Sequence, residues 1–307
     1  MKKLLLLLCL TVPFFAPALS HTWLNPQESL FGQLKTHRIK ANQSLADIAR
    51  QYDVGYFELV AANPYLNPKH IRSGTVIIIP TRFSLPPIPR KGIVINLATL
   101  RLYYFPAHTK RFYTYPIGIG KQGWQSPEGH FSIIEKKKNP VWIVPNSIYH
   151  YRQAHHLDVH KTVQAGPDNP LGKYELRLSR PTFLIHGTND PASVGVRSSA
   201  GCIHLYPEDI KELFIMVPLH TPVTIINQAS VIVRDHNHYY LDAHLPLAEQ
   251  RHSTTKKMPM GLFDPKEYHD ILKAHLGIPV RLSDAAKPTV ASISKMQNSH
   301  DERSRVA

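Results

Sequence analysis

The chain has 307 residues, 43% of them apolar and 19% charged, a balance that excludes a disordered polymer and leaves room for two modest domains. Its formal net charge is +14, yet it carries no RNP motif, zinc finger or basic recognition helix. No nucleic-acid partner is therefore expected, and acidic polymers or surfaces outside the cytoplasm fit the charge better. The 26 prolines predict many turns, strand edges and stiff connectors instead of long helical arrays.

Lys2 and Lys3, the apolar run from Leu4 to Phe15 and the small-x-small sequence Ala18-Leu19-Ser20 read as a secretory signal peptide over residues 1–20, with the mature chain starting near His21. The run is shorter than the roughly 20 residues a spanning helix needs, so no transmembrane helix is expected. Cys9 leaves with the leader, and Cys202 remains as a single thiol. Exported chains usually pair their cysteines, so a lone one is either a small buried hydrophobe or a reactive group.

Residues 37–81 form a compact unit. His37 to Lys40 is a strand; Ser44 precedes an apolar stripe of Leu45, Ile48, Ala49 and Tyr52 at helical spacing; Tyr56 to Ala62 is a second helix stopped by Asn63-Pro64; Val76 to Pro80 is a second strand. This β-α-α-β order, with Ala62-Asn63-Pro64 and Gly74-x-x-Ile77-x-Ile79-Pro80, resembles a LysM module, a family that binds the glycan strands of peptidoglycan or chitin. Asn42-Gln43-Ser44 stands where that family often has Gly-Asp-Thr. Residues 82–91, with Pro86, Pro87 and Pro89, read as a semi-rigid linker.

From Gly92 to residue 227 the pattern is β-rich. Ile93 to Leu97 and Arg101 to Phe105 form a hairpin, further strands follow at Arg111 to Ile119, His130 to Glu135 and Val223 to Ile226, and Pro207 opens a helix with acids in its first turn. Residues 228–282 read as a C-terminal hairpin, at Val231 and Tyr239, followed by a helix from Asp264; residues 283–307 read as a disordered tail.

The chemistry concentrates between Phe183 and Leu205. Cys202 has His186 sixteen residues upstream and Ser199-Ala200-Gly201 before it. An imidazole can take a thiol's proton, and Gly201 allows a close backbone approach in which the N–H groups of Gly201 and Cys202 face a developing oxyanion. Such a reading requires the sulfur to be ionised by the imidazole and exposed at the floor of a groove. The 19 histidines include His150, His155-His156 and His236-x-His238, none with metal-ligand spacing, so neither metal nor cofactor is expected. Ser198 and Ser199 lack a G-x-S-x-G elbow.

His186-Gly187-Thr188-Asn189 together with Ser199-x-Gly201-Cys202-Ile203 resembles the signature of the L,D-transpeptidase (YkuD-type) catalytic domain, and Tyr115 to Phe131, Asn139-Pro140-x-Trp142 and Ala165 to Gly172 resemble flanking stretches of that family. The resemblance implies a mainly β, antiparallel sandwich-like fold and a cysteine acyltransferase of the periplasm that acts on peptidoglycan stem peptides. It makes Cys202 the nucleophile, His186 its base and the carbonyl of Gly187 the group that orients the imidazole. Cys202 would attack the bond between diaminopimelate and D-alanine in a tetrapeptide stem and form a thioester. The acceptor would be the amine of another stem, giving a 3→3 cross-link, or the C-terminal lysine of an envelope lipoprotein. Water would make the protein a carboxypeptidase, and an inactive domain would leave a peptidoglycan-binding protein. Ser199, Asn189, His204 and Arg197 are the candidate substrate contacts; His204 stands where the family commonly has Arg, and Ala200 where it often has His.

Overall fold

The computed structural model describes residues 19–25, 27–247, 271 and 275–282. The chain opens with β1 (Leu19–Thr22) and β2 (Leu30–Gly32), then forms β3 (Lys35–Arg38), α1 (Leu45–Gln51), α2 (Tyr56–Ala61), β4 (Val76–Ile79) and β5 (Arg82–Ser84). β3 and β4 pair antiparallel, with His37 opposite Ile77. Helix α1 starts at a capping box: Ser44 Oγ accepts from the Asp47 N–H at 3.1 Å, and the Asp47 carboxylate accepts from the Ser44 N–H at 3.2 Å. The apolar stripe of α1 then meets Leu59, Ile77 and Ile79 in one buried cluster.

The start of the segment expected as a semi-rigid linker is built into the body. β5 pairs with β2, Phe83 and Leu85 join Phe31, Phe105 and Phe112 in a second cluster, and the Ser84 N–H and hydroxyl donate to Asp242 at 3.1 and 2.6 Å. Two large apolar side chains set among prolines gain more by burial than a solvated connector would leave them.

The larger unit contains β6 (Gly92–Asn96), β7 (Arg101–Phe105), β8 (Arg111–Pro116), β9 (Ile119–Gly120), β10 (Gly129–Lys138), β11 (Trp142–Ile143), α3 (Asn146–Ala154), β12 (Thr162–Val163), β13 (Tyr174–Leu178), β14 (Leu184–His186), β15 (Arg197–Ser199), β16 (Ile203–His204), α4 (Pro207–Met216) and β17 (Pro222–Ile226). One nine-stranded sheet runs β1-β8-β7-β6-β17-β10-β13-β14-β16. Its pairs are antiparallel except β17 with β6 and β14 with β16, which are parallel. The fold is thus mainly β. Alternate residues of the sheet, among them Ile93, Ile95, Leu102, Ile185 and Ile203, pack against Ile210 and Leu213 of α4 and Val217 at its C-terminal end. β18 (Ser230–Asp235) and β19 (His238–Ala243) form the C-terminal hairpin, to which β20 (Val280–Arg281) adds a third strand. Ile271 is buried against Leu241, Ala243 and Leu282. The rest of the helix expected from Asp264, and the tail from Ser283, lie outside the described residues.

The small module is held firmly against the sheet. Arg101 of β7 and Glu58 of α2 form an ion pair at 2.7 Å with side-chain exposures of 1% and 5%, and Arg50 of α1 grips Glu208 of α4 through two hydrogen bonds of 2.8 Å. The Phe57 N–H donates to the Gly195 carbonyl at 3.2 Å. Gly195 has φ +78°, and a Cβ there would stand 2.2 Å from the Tyr56 nitrogen, so glycine is required for the approach.

Candidate active site

β14 and β16 bring the thiol and the imidazole to neighbouring strands. Their parallel register sets Ile185 against Ile203 and His186 against His204, and the Leu205 N–H donates to the His186 carbonyl at 3.0 Å. Carried back one residue, the register puts Cys202 beside Leu184, whose backbone N–H bonds the thiol. Side chains alternate along a strand, so Cys202 and His204 share a face, and His186 stands on that face one strand across. The Cys202 Sγ also lies 3.9 Å from the Thr182 carbonyl oxygen.

His186 Nδ1 donates to the Gly187 carbonyl at 2.6 Å. A carbonyl can only accept, which assigns the proton to Nδ1 and leaves Nε2 as the basic nitrogen. Burial, with the His204 ring next in size, lowers the His186 pKa to about 3; the bond to Gly187 opposes the shift. Burial likewise pushes the Cys202 thiol up to about 11 against the Leu184 N–H. Burial thus disfavours the charged form of both groups, the thiolate of Cys202 and the imidazolium of His186. Cys202 is half-buried, and the desolvation that keeps it a thiol comes from the strands around it.

The turn that carries the thiol is tied from three sides. Gly201 has φ +107°, and a Cβ there would meet the Phe183 ring at 2.8 Å. The Ser199 hydroxyl donates to the Cys202 carbonyl at 2.6 Å and accepts from the Gly201 N–H at 3.1 Å. Ser126 Oγ donates to the Gly201 carbonyl at 2.8 Å and accepts from the Gly120 N–H at 3.0 Å. This corrects two expectations. The Gly201 amide, expected to face an oxyanion, is spent on Ser199, and Ser199 shapes the turn from within. Ser126 was not singled out because Gly201, the partner that ties it to the thiol turn, lies far from it in sequence; the Ser-Pro step at Ser126-Pro127 is the one local sign of an ordered turn.

His204 is also placed differently from the expectation. It is buried, its Nε2 lies 3.0 Å from both the hydroxyl and the carbonyl oxygen of Ser193, and its ring stacks on His186 with centroids 6.0 Å apart. Gly118 makes room for it: a Cβ at Gly118 would lie 2.0 Å from His204 Nε2. An imidazole so enclosed packs behind the His186 ring. Arg197, on β15, donates to the Gly120 carbonyl at 3.2 Å and lines a small cavity with Ser126, Gln125 and Leu97. Asn189 is exposed in the loop after His186.

The profile of the L,D-transpeptidase catalytic domain (YkuD) matches residues 90–225, and that of the LysM domain matches residues 37–80. A relative described as probable L,D-transpeptidase YcfS of Escherichia coli K12 is 39% identical over 254 residues, spanning 80% of this chain and 79% of its own. The chain belongs to the YkuD family of L,D-transpeptidases. Probable L,D-transpeptidase ErfK/SrfK of Salmonella typhimurium is 34% identical over 298 residues, or 91% of this chain and 96% of that one. The solved catalytic domain of the Enterococcus faecium L,D-transpeptidase aligns with 46% of this chain at 22% identity and a TM-score of 0.34. The protein is a peptidoglycan L,D-transpeptidase, an enzyme with an N-terminal LysM domain. Among the described residues, no helix is long and apolar enough to cross a membrane.

Proposed function

We propose that Cys202 is the nucleophile and His186 its general base in transfer of a tetrapeptide stem to an amine. As Sγ attacks the carbonyl carbon between diaminopimelate and D-alanine, its proton passes to His186 Nε2, and the imidazolium then protonates the departing D-alanine amine. The acceptor amine attacks the thioester, gives its proton to the same nitrogen, and the thiol is regenerated. The single observation that carries this reading is the His186 Nδ1–Gly187 carbonyl bond of 2.6 Å, which points a basic nitrogen away from the backbone on the strand beside Cys202. With the Gly201 amide engaged by Ser199, the Cys202 N–H is the oxyanion donor.

The leader suits export to the periplasm, where both donor stems and glycan strands are found, and the LysM domain supplies the glycan contact. Asn189 and Arg197 remain the residues placed for a stem peptide; His204 acts through His186. The acceptor is a stem diaminopimelate or the terminal lysine of an envelope lipoprotein. The test is to incubate the enzyme with disaccharide tetrapeptide and each amine in turn. Release of D-alanine with a product of the condensed mass is expected, and Cys202→Ala is expected to abolish both. D-alanine release with only the hydrolysed tripeptide would make water the acceptor, and no release from the wild-type enzyme would overturn the mechanism.

A further inference from the structure

Two buried carboxyl groups lie where β1, α1 and α4 meet. Asp53, just after α1, and Asp209, in the first turn of α4, are each 2% exposed, and their side chains face one another. Asp53 Oδ2 accepts a hydrogen bond from the Leu19 backbone nitrogen at 3.0 Å. Asp53 Oδ1 and Asp209 Oδ2 have no hydrogen-bond partner among the described residues.

The cations nearby are already committed. Arg101 gives Nε and Nη2 to Glu58 and Nη1 to Thr114, and Arg50 is held by Glu208. His21, also on β1, is kept neutral by burial and by Arg101. Glu58 and Asp53 therefore share the Arg101 guanidinium, and Asp209 faces Asp53, Glu208 and Glu212. Burial raises both aspartates, Asp53 to about 7. Even with one proton shared between the two aspartates, one buried negative charge has Arg101 and Arg50 only at a distance and lacks a hydrogen-bonded cation as partner.

The Leu19 nitrogen occupies the place where that partner belongs. As an amide it offers one N–H; as a free amine it would offer a full positive charge at the same 3.0 Å. The residues before it are Ala16-Pro17-Ala18, a small-x-small sequence of the kind a leader peptidase cuts. We propose that the leader is removed at the Ala18–Leu19 bond, and that the freed Leu19 α-ammonium becomes the buried counter-ion of the Asp53–Asp209 pair. In the cleavage, water adds its hydroxyl to the Ala18 carbonyl carbon and its proton to the Leu19 nitrogen, and the new Ala18 carboxylic acid gives up the second proton that turns the amine into an ammonium. A cut after Ser20 would instead strip Asp53 of its donor and remove the pairings of Leu19 with Thr114 and Ser20 with Tyr113. Leader removal is thereby coupled to the junction of the two domains.

The test starts from the full chain exported by a Gram-negative host. Amino-terminal sequencing of the purified protein is expected to read Leu-Ser-His-Thr-Trp; His-Thr-Trp-Leu-Asn, or an uncut Met1, would overturn the cleavage. Acylation of the terminal amine by acetic anhydride, followed by peptide mass, is expected to be about tenfold or more slower than in the free pentapeptide of the same sequence. Equal rates would overturn the docking. Asp53→Asn is expected to bring the rate towards that of the peptide, and should that variant fail to fold, the wild-type comparison decides by itself.

Discussion

Arg101 and Glu58 meet across the domain junction in a bidentate contact, with Arg101 Nη2 2.7 Å and 2.9 Å from the two carboxylate oxygens and almost no solvent at either side chain. Breaking such a pair by neutralising one member leaves the other charge buried and alone. Glu58→Gln is expected to cost about 3–5 kcal/mol in chemical denaturation, whereas the half-exposed Arg50–Glu208 pair should cost about 1 kcal/mol or less when Arg50 is changed to Gln. Equal losses for the two variants would contradict the argument.

A second prediction concerns the neutral thiol and imidazole. With Cys202 held near 11 and His186 near 3, the rate of iodoacetamide labelling should climb steadily from pH 6 to pH 10, following the small thiolate fraction. An ion-paired thiolate would give a flat, fast rate across that range. A plateau near neutrality is the result that would contradict the assignment.

Ser126→Ala removes the hydroxyl that joins Gly120 to Gly201, and leaves the buried Gly201 carbonyl without its donor. A loss of about 1–3 kcal/mol in stability is expected by thermal or urea unfolding. Because its hydroxyl is spent on Gly120 and Gly201 and positions the thiol turn, kcat for D-alanine release should fall with little change in KM. A change confined to KM would place Ser126 in the binding site.

Gly118→Ala tests the seat of His204. Its Cβ would fall 2.0 Å from the imidazole nitrogen, so the ring must leave Ser193 and cease to back His186. We expect transpeptidation to drop at least about tenfold, the equivalent of 1.4 kcal/mol, with the LysM domain still folded by circular dichroism and glycan binding intact. Activity within a factor of two of the wild type would show that His204 is dispensable to the catalytic ring.

The last prediction is one of pH. His244 Nε2 and Asp242 lie 3.0 Å apart, and Asp242 also accepts from Ser84. Burial opposes both charges, yet each raises the charged state of the other: His244 is raised above 6.5 and Asp242 lowered below 3.8. A raised histidine stabilises below its unfolded pKa and loses the effect as pH rises through the folded one; a lowered aspartate stabilises above its unfolded pKa and loses the effect as pH falls. Hydrogen-exchange protection of β18 and β19 should therefore peak between about pH 4 and pH 6.5 and decline on either side. His244→Gln should flatten the alkaline side.

Much of the architecture is legible where the signal is local. Ser44 and Asp47 announce the start of α1, and the run of apolar residues in β6 and β7 announces a hairpin, because each depends on residues a few positions apart. Cys202, His186 and Gly187 were singled out through a motif, and the structure sets His186 and its Gly187 carbonyl on the strand beside Cys202. The misread parts share a different character. The pairing of Leu19 and Ser20 was not legible, since a four-residue strand has no period of its own and their partners at Thr114 and Tyr113 lie far along the chain. Pro86 and Pro87 signalled a spacer, while Phe83 and Leu85 found a core assembled from β2, β7 and β8. His204 looked like a substrate contact until Ser193 and Gly118 closed around it.

The grip of Arg101 on Glu58 and of Arg50 on Glu208 denies the carbohydrate-binding domain any swing of its own. A tethered module would let the sulfur sample many stems around one anchorage; a fused one gives it a single radius, so only stems at that distance and orientation come within reach. Spacing of new bonds along the wall would then follow from the shape of this junction, and loosening it would blur their pattern even with chemistry unimpaired.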